Sequence, residues 1–492
     1  MKGQRHSRAG ALPLCVDLDG TLIRTDLLHE ALITYLCSRL TAFVSIIAWL
    51  LRGRSALKQG LARHVMPEVA FLPYRADLVA FISAERARGR QVHLVTASPQ
   101  AWADAIAQHI GLFDSVVGTT NENLKGAAKA RLLIERFGPT GFDYVGDHAA
   151  DRAVWCEAAM AHGAGAKAWG WINAQPQFRR GAVFNADASS QWRALFRAMR
   201  PHQWSKNVLL FVSIAAAHRL LDLPAVLATS LAFVAFSLTA SATYLVNDLL
   251  DLDTDRRHPR KRLRPFAAGD VSVATGLVAI IGLSSVAGAL CLFLPPLFTL
   301  MLTVYVITTL AYSFRLKRAA LADVLTLAGL YTLRILAGTA AAGITISSWL
   351  LAFSMFTFIS LAIAKRCAEL TGTKVEEGAR IAGRGYYPGD LEVLGGMASA
   401  SSFCASLVLA IYTNQPYVTG RYASPELLWL LCPFLIFILN RILILARRGQ
   451  MDDDPIVFCA RDRLTLKLAV LCAGIVIAAT FFTIEPRIIV DG

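Results

Sequence analysis

The run Asn247-Asp248-Leu-Leu-Asp251-Leu-Asp-Thr-Asp255 sets three aspartates at i, i+3 and i+7. It leads straight into Arg256-Arg257-His258-Pro259-Arg260-Lys261-Arg262-Leu-Arg264-Pro265. On a helix that continues through this stretch, Asp248, Asp251 and Asp255 form one stripe. Three carboxylates on one face repel each other unless a cation lies between them. Hard oxygen donors favour Mg²⁺, which keeps part of its coordination for phosphate oxygens. The basic run, Lys261 and Arg264 in particular, then holds the remaining phosphate charge. The chemistry expected is binding of a magnesium diphosphate. The competing reading is a solvated helix end with a cationic flank.

The elements around this run are hydrophobic. Residues are 55% hydrophobic and 17% charged over 492 positions, and the apolar excess falls beyond about 206. Nine apolar segments occur, at 206–221, 224–247, 271–294, 297–314, 319–342, 346–364, 392–413, 426–446 and 464–484. Most approach the ~20 residues that cross a bilayer as a helix; the first, interrupted by His218 and Arg219, is the weakest. The connections after even-numbered segments hold eighteen Lys and Arg, against three in the others and the tail. Positive charge stays inside, so the residues before 206 are expected in the cytoplasm and the C-terminus outside. The formal charge of +14 therefore orients membrane segments and does not point to nucleic acid. Asp323 and Arg334, eleven residues apart on the fifth segment, share a face that should look into the bundle. Arg334 is placed to reach a phosphate, and Asp323 to cap the helix or pair with a loop cation.

The first 200 residues read as a soluble domain. A short apolar strand enters Asp17-Leu18-Asp19-Gly20-Thr21; strand-like Val92–Val95 ends at Thr96, with Ser98 behind it. Lys125-Gly126 opens a helix, and Tyr144-Val145-Gly146-Asp147 leads to Asp151. Residues 26–90 carry helical patterning. Within them Leu40–Leu51 is too short to span a bilayer and reads as domain core in preference to a membrane-facing surface. No sustained apolar run precedes Asp17, so no cleaved signal is expected. The nine cysteines form no CxxC pair and read as buried free thiols.

Two family resemblances rest on these residues. The NDxxDxxxD run at 247–255 with HPxKRxRP at 258–265 resembles the first Asp-rich motif of the UbiA superfamily of intramembrane prenyltransferases, across about 197–485. That resemblance implies nine transmembrane helices, with Asp248, Asp251 and Asp255 on Mg²⁺ and Asn247 beside them. A second Asp-rich run is expected after the sixth segment, but this chain has Ala364-Lys365-Arg366-Cys367-Ala368-Glu369-Leu370. That run, with Arg200-Pro201-His202-Gln203-Trp204-Ser205-Lys206-Asn207, resembles the decaprenyl-phosphate phosphoribosyltransferase branch. Substrate contacts are then expected from Arg200, Lys206, Arg334, Lys365, Arg366 and Glu369. The four pieces of the first half resemble the haloacid dehalogenase superfamily, across about 11–185. That resemblance implies a Rossmann-like α/β fold with a helical cap over the site. Asp17 is the expected nucleophile, Asp19 the general acid and base, and Thr96 and Lys125 the phosphoryl-binding groups, with Lys129 the second choice of lysine. Asp17, Asp19, Asp147 and Asp151 are the expected Mg²⁺ set.

The expected architecture is thus an N-terminal α/β phosphatase-like domain (11–185), a linker with an interfacial helix (186–205), and an all-α membrane domain of nine helices (206–485). The expected activity is phosphoribosyl transfer from phosphoribosyl pyrophosphate to a polyprenyl phosphate, followed by removal of the 5-phosphate. The expected setting is the inner (plasma) membrane, with a polyprenyl lipid and a diphosphate-bearing substrate as partners. The alternative is an aromatic prenyltransferase using a prenyl diphosphate, with a first domain of separate or regulatory role. A non-enzymatic transporter is disfavoured, because the charges gather at one membrane face and few lie at mid-depth.

Overall fold

The computed structural model describes residues 11–38, 41–120, 123–184, 191–372, 385–420, 422–451, 455–459 and 461–483. The expected start of the linker at 186 lies outside them, as do 484–485 and the cations between 373 and 384. The chain divides into two compact units, Met1–Met199 with Tyr244–Ile281, and Arg200–Thr243 with Gly282–Gly492. Each is described by itself.

The first unit is built on six parallel strands in the order β3-β2-β1-β4-β5-β6: β1 (Leu14–Val16), β2 (Val92–Pro99), β3 (Ser115–Thr119), β4 (Asp143–Gly146), β5 (Met160–Ala164) and β6 (Arg180–Phe184). Leu14, Cys15 and Val16 are all fully buried, as a central parallel strand covered on both faces requires. β1 lies between β2 and β4. The carboxyl ends of all three therefore open on one crevice, where such sheets place their ligands. Helices α1 (Leu27–Ser38), α2 (Ala42–Leu51) and α3 (Arg54–Ala62) form the cap, followed by α4 (Ala76–Ala87), α5 (Gln100–Ile110), α6 (Ala127–Phe137) and α7 (Ala166–Asn173). α2 meets only part of the core expectation. Ala42 and Ile46 are buried, but Phe43, Val44, Ile47, Leu50 and Leu51 are exposed.

Among the described residues, eight helices are long and apolar enough to cross a membrane: α8 (Leu223–Leu250), α10 (Val273–Cys291), α11 (Pro296–Phe314), α12 (Ala322–Ala341), α13 (Ser348–Gly372), α14 (Pro388–Thr413), α15 (Pro425–Arg447) and α16 (Arg463–Phe481). Short α9 (Leu252–Arg257) follows α8. The protein is thus a multi-pass membrane protein. α12 is the most enclosed, with 72% of its apolar window buried, and its partners in the core of the second unit come mainly from α13, α14 and α15.

The first of the nine expected segments is not a long α-helix. It is a 3₁₀ stretch, Pro201–Phe211, continued by a five-residue helix, Val212–Ala216. It nevertheless climbs alongside α12. Lys206 lies over the Tyr331 ring, Asn207 accepts from Arg334, the Ser213 hydroxyl donates to the Ile335 carbonyl, and Arg219 reaches the Ala342 carbonyl. A 3₁₀ turn rises ~2 Å per residue against 1.5 Å in an α-helix, so these residues cover roughly 30 Å, about one bilayer core. Close approach makes this possible: a Cβ on Gly338 would stand 1.9 Å from the Leu210 carbonyl oxygen.

Candidate active sites

Asp17 follows β1, and Asp147 and Asp151 follow β4. Carboxylate oxygens of all three lie within 4.8 Å of one another. Gly20 lets the loop after β1 close on them. Its φ is +72°, and a Cβ there would meet Asp147 at 2.2 Å, so the turn admits no side chain. Thr21 donates to Asp147 at 3.1 Å. Burial pushes the Asp147 carboxyl up to about 8, with Asp17 and Asp151 adding to the shift. Burial also raises Asp17, against the pull of Lys129. Crowded oxygen donors that resist ionising together suit a divalent cation, which offsets their repulsion.

The lysine beside the expected nucleophile is Lys129. Its Nζ is 2.8 Å from Asp17 Oδ1 and 3.8 Å from Asp151 Oδ1, and it donates to the Tyr144 hydroxyl at 2.8 Å. That hydroxyl donates in turn to Asp151 at 2.9 Å. Burial alone would lower the Lys129 ammonium, but Asp17 and Asp151 hold it above its ordinary value. Lys125 is exposed ahead of α6. The Lys-Gly context favoured Lys125, whereas α6 begins at Ala127 and directs its first turn, carrying Lys129, into the crevice.

Asp19 stands apart from the cluster of Asp17, Asp147 and Asp151. Its Oδ1 accepts from the Leu27 amide at 3.0 Å and its Oδ2 from the Ser98 hydroxyl at 2.5 Å. Burial, with Asp26 next in weight, pushes it up to about 7, where a carboxyl both gives and takes a proton near neutrality. Thr96 is fully buried in β2, and its Oγ1 accepts from the Ser98 amide at 3.0 Å. Sequence reasoning missed Lys58 of the cap. Its ammonium is buried and donates to the Ala97 carbonyl at 2.5 Å and to Asn123 Oδ1 at 2.8 Å. Only the fold of the cap brings α3 to β2.

In the Asp248 run the helix does not continue unbroken. α8 ends at Leu250 and α9 starts at Leu252, with Asp251 at φ −92° and ψ 11° between them. The stripe survives because Asp251 N still donates to Asn247 O and Asp255 N to Asp251 O. Arg264 Nη1 bridges the outer pair, at 3.3 Å from Asp248 Oδ1 and 2.6 Å from Asp255 Oδ2. Asn247 Oδ1 and Asp255 Oδ1 are buried and accept no hydrogen bond among the described residues, so hard donors remain for a cation. Lys261 is half-buried nearby. The next residues turn away from this stripe. Arg256, buried, forms a two-pronged pair with Glu30 of α1 at 2.8 and 2.6 Å, Arg257 pairs with Glu68, and Asp270 pairs with Arg24 at 2.7 Å. The loop that carries the aspartates is thereby clasped to the cap and to the loop after β1.

In the second unit, Arg334 is buried. It donates to Asn207 Oδ1 at 3.0 Å and to the Leu330 carbonyl at 2.6 Å, and it packs against the rings of Phe236, Tyr305 and Tyr331. Lys206 shares Tyr331. Arg366, expected with Glu369 to contact substrate, is enclosed among protein partners. Arg366 is 1% exposed, lies 2.6 Å from Asp323, pairs with Glu369 and donates to Tyr312 at 3.0 Å. A charge this enclosed is committed to its partners, and Asp323 thereby has its cation. Lys365 and Arg200 are half-buried and Glu369 is exposed. All nine cysteines are free, but only Cys15, Cys291 and Cys367 are buried.

Residues 208–460 match the UbiA prenyltransferase family and residues 14–169 the haloacid dehalogenase-like hydrolases. Uncharacterized protein y4nM of Sinorhizobium fredii is 39% identical over 477 residues, 95% of this chain and 91% of that one. Nodulation protein NoeC of Azorhizobium caulinodans is 33% identical over 269 residues, 55% of this chain and 87% of that one. Decaprenyl-phosphate phosphoribosyltransferase of Mycobacterium tuberculosis is 33% identical over 297 residues, 58% and 94% of the two chains. A UbiA homolog from Archaeoglobus fulgidus, solved bound to GPP and Mg²⁺, aligns with TM-score 0.45 and 17% identity over 58% of this chain and 99% of its own. With matches this extensive in both halves, the chain belongs to the UbiA prenyltransferase family and carries a haloacid dehalogenase-like hydrolase domain ahead of its membrane domain.

Proposed function

We propose that the membrane domain transfers a phosphoribosyl group from phosphoribosyl pyrophosphate to a polyprenyl phosphate, and that the fused domain then removes the ribose 5-phosphate. Both sites face the cytoplasm in this reading. The observation that carries it is the acidic trio at Asp248, Asp251 and Asp255 standing without a second one. Where an aspartate run would follow the sixth apolar segment, the chain has the half-buried Lys365, next to an Arg366 that is spent on Asp323. Two anionic groups, a donor diphosphate and an acceptor phosphate, call for cations as well as carboxylates. The 33% identity to decaprenyl-phosphate phosphoribosyltransferases supports the same choice.

In the first step an acceptor phosphate oxygen attacks ribose C1 and the bond to diphosphate breaks. Arg264 and Lys261 hold phosphate charge beside the trio, and Arg334 and Lys206 supply cations in the second unit. In the second step Asp17 attacks the 5-phosphorus while Asp19 gives its proton to the departing ribose oxygen. Water then opens the aspartyl-phosphate as Asp19 takes a proton back. Lys129 neutralises phosphoryl oxygens and Thr96 lines their pocket. Asp17, Asp147 and Asp151, and separately the Asp248 trio, would hold Mg²⁺, which when bound would supply further charge neutralisation at each phosphate.

Full-length protein in vesicles, given labelled phosphoribosyl pyrophosphate and polyprenyl phosphate, should yield a labelled lipid that retains its 5-phosphate in Asp17→Asn and loses it in the wild type. Label transfer only from a prenyl diphosphate to an aromatic acid would replace this reading with aromatic prenyl transfer.

A further inference from the structure

Helix α2 is apolar on every side, yet the domain core uses one face of it. Phe43, Val44, Ile47, Leu50 and Leu51 lie on the other, with Phe43 65%, Val44 69% and Leu51 84% exposed. A run of large apolar side chains on one helix face is costly in water and marks a contact. Its flanks are basic. Arg39, Arg52, Arg54 and Arg63 fall between 39 and 67, a stretch with no aspartate or glutamate, and Arg52, Arg54 and Arg63 are exposed.

The position of the helix says what it meets. The end of α1, through Ile33, Cys37 and Ser38, lines a cavity of about 210 Å³ together with Leu249, Leu250 and Leu252. Leu250 is the last residue of membrane-spanning α8. α1 is fixed there by the buried Arg256–Glu30 pair, and α2 begins four residues after α1 ends. The end of α1 therefore lies beside the point where a spanning helix leaves the hydrocarbon, and α2 starts close behind it in the chain. We infer that α2 is an interfacial helix: its apolar face enters the adjacent leaflet and its arginines meet anionic lipid headgroups. An apolar face with cationic edges fits an anionic bilayer surface. A symmetric contact with a second copy would bring like arginines together and is disfavoured. The docked cap would hold the entrance of the Asp17 site at the lipid surface, whichever lipid phosphate is its substrate.

The test uses full-length protein in phosphatidylcholine–phosphatidylglycerol vesicles, with the photo-crosslinking residue p-benzoyl-phenylalanine at position 47 or 51, or at exposed position 87, the end of α4, as a control. Mass spectrometry should find lipid adducts at 47 and 51 roughly tenfold above those at 87, as burial of the face in the leaflet requires. In a second variant, Val44→Glu with Leu51→Glu, hydrolysis of p-nitrophenyl phosphate should persist while the lipid adduct from position 47 falls at least about fivefold. Adducts to a second copy or to the chain itself in place of lipid would overturn the inference. Equal lipid adducts at 47 and 87, or at 47 with and without the glutamates, would do the same.

Discussion

The two acidic trios are built on opposite plans. Asp17, Asp147 and Asp151 come from two strands and are pressed within 4.8 Å by tertiary packing, with Lys129 as a buried counter-charge. Asp248, Asp251 and Asp255 come from one continuous stretch. Arg264 bridges the outer two, and among the described residues they do not close into a comparable cluster. The first trio has the geometry to hold a cation before any substrate arrives. The second is proposed to hold a cation together with a diphosphate.

This contrast can be broken in several ways. The largest effect is expected from Asp17→Asn. Loss of the nucleophile should lower p-nitrophenyl phosphate hydrolysis by about 10⁴-fold and leave lipid labelling from phosphoribosyl pyrophosphate within twofold or so. Parallel loss of both activities would show that the sites do not work separately. Asp248→Asn should do the reverse, lowering transfer about 10³-fold at constant hydrolysis. The clasp is next. Arg256→Ala leaves Glu30 buried without its cation, which should cost about 3 kcal/mol, visible as a lower unfolding temperature in detergent, whereas Arg257→Ala on the exposed pair should cost under about 1 kcal/mol.

A finer comparison separates the lysines. Lys129→Met should reduce kcat for hydrolysis about 100-fold, while Lys125→Met should stay within about threefold. Equal losses would return Lys125 to the site. The last comparison is thermal. Mg²⁺ at 100 times its Kd should stabilise the wild type by about 2.7 kcal/mol without substrate. Asp147→Asn should lose most of this shift and Asp248→Asn little, because only the closed trio is expected to bind the cation unaided.

Much of this was legible because it is local. Asp17 and Asp19 follow an apolar strand, and the i, i+3, i+7 aspartates needed only helical geometry to share a stripe. The turn at Asp251 that splits the helix was not legible, since Asn247 O to Asp251 N bonding keeps the spacing while the dihedrals depart from it. Lys125 and Lys129 could not be separated by motif context, because one turn of helix decides which enters the crevice. Arg334 looked like a substrate cation as a charge inside an apolar segment, and Arg366 because of the Lys365–Glu369 run and the resemblance it carries. The commitment of Arg366 to Asp323, 43 positions earlier, is a long-range pairing that no spacing reveals. The first apolar segment reads as the weakest because His218 and Arg219 interrupt it, and its 3₁₀ form is a backbone choice that no periodicity reveals.

Composition and order by themselves determined the two-part chain and the residue types able to meet phosphate, and set the expectation for the side of the membrane its loops prefer. These follow from hydrophobic length, charge placement and short-range periodicity, all of which act along the chain. Which charges are spent on each other was decided only by the tertiary structure: Arg256 on Glu30, Arg366 on Asp323, Lys129 on Asp17. Burial makes an unpaired charge costly, so each finds its partner in space, and that partner lies where distant segments happen to pack.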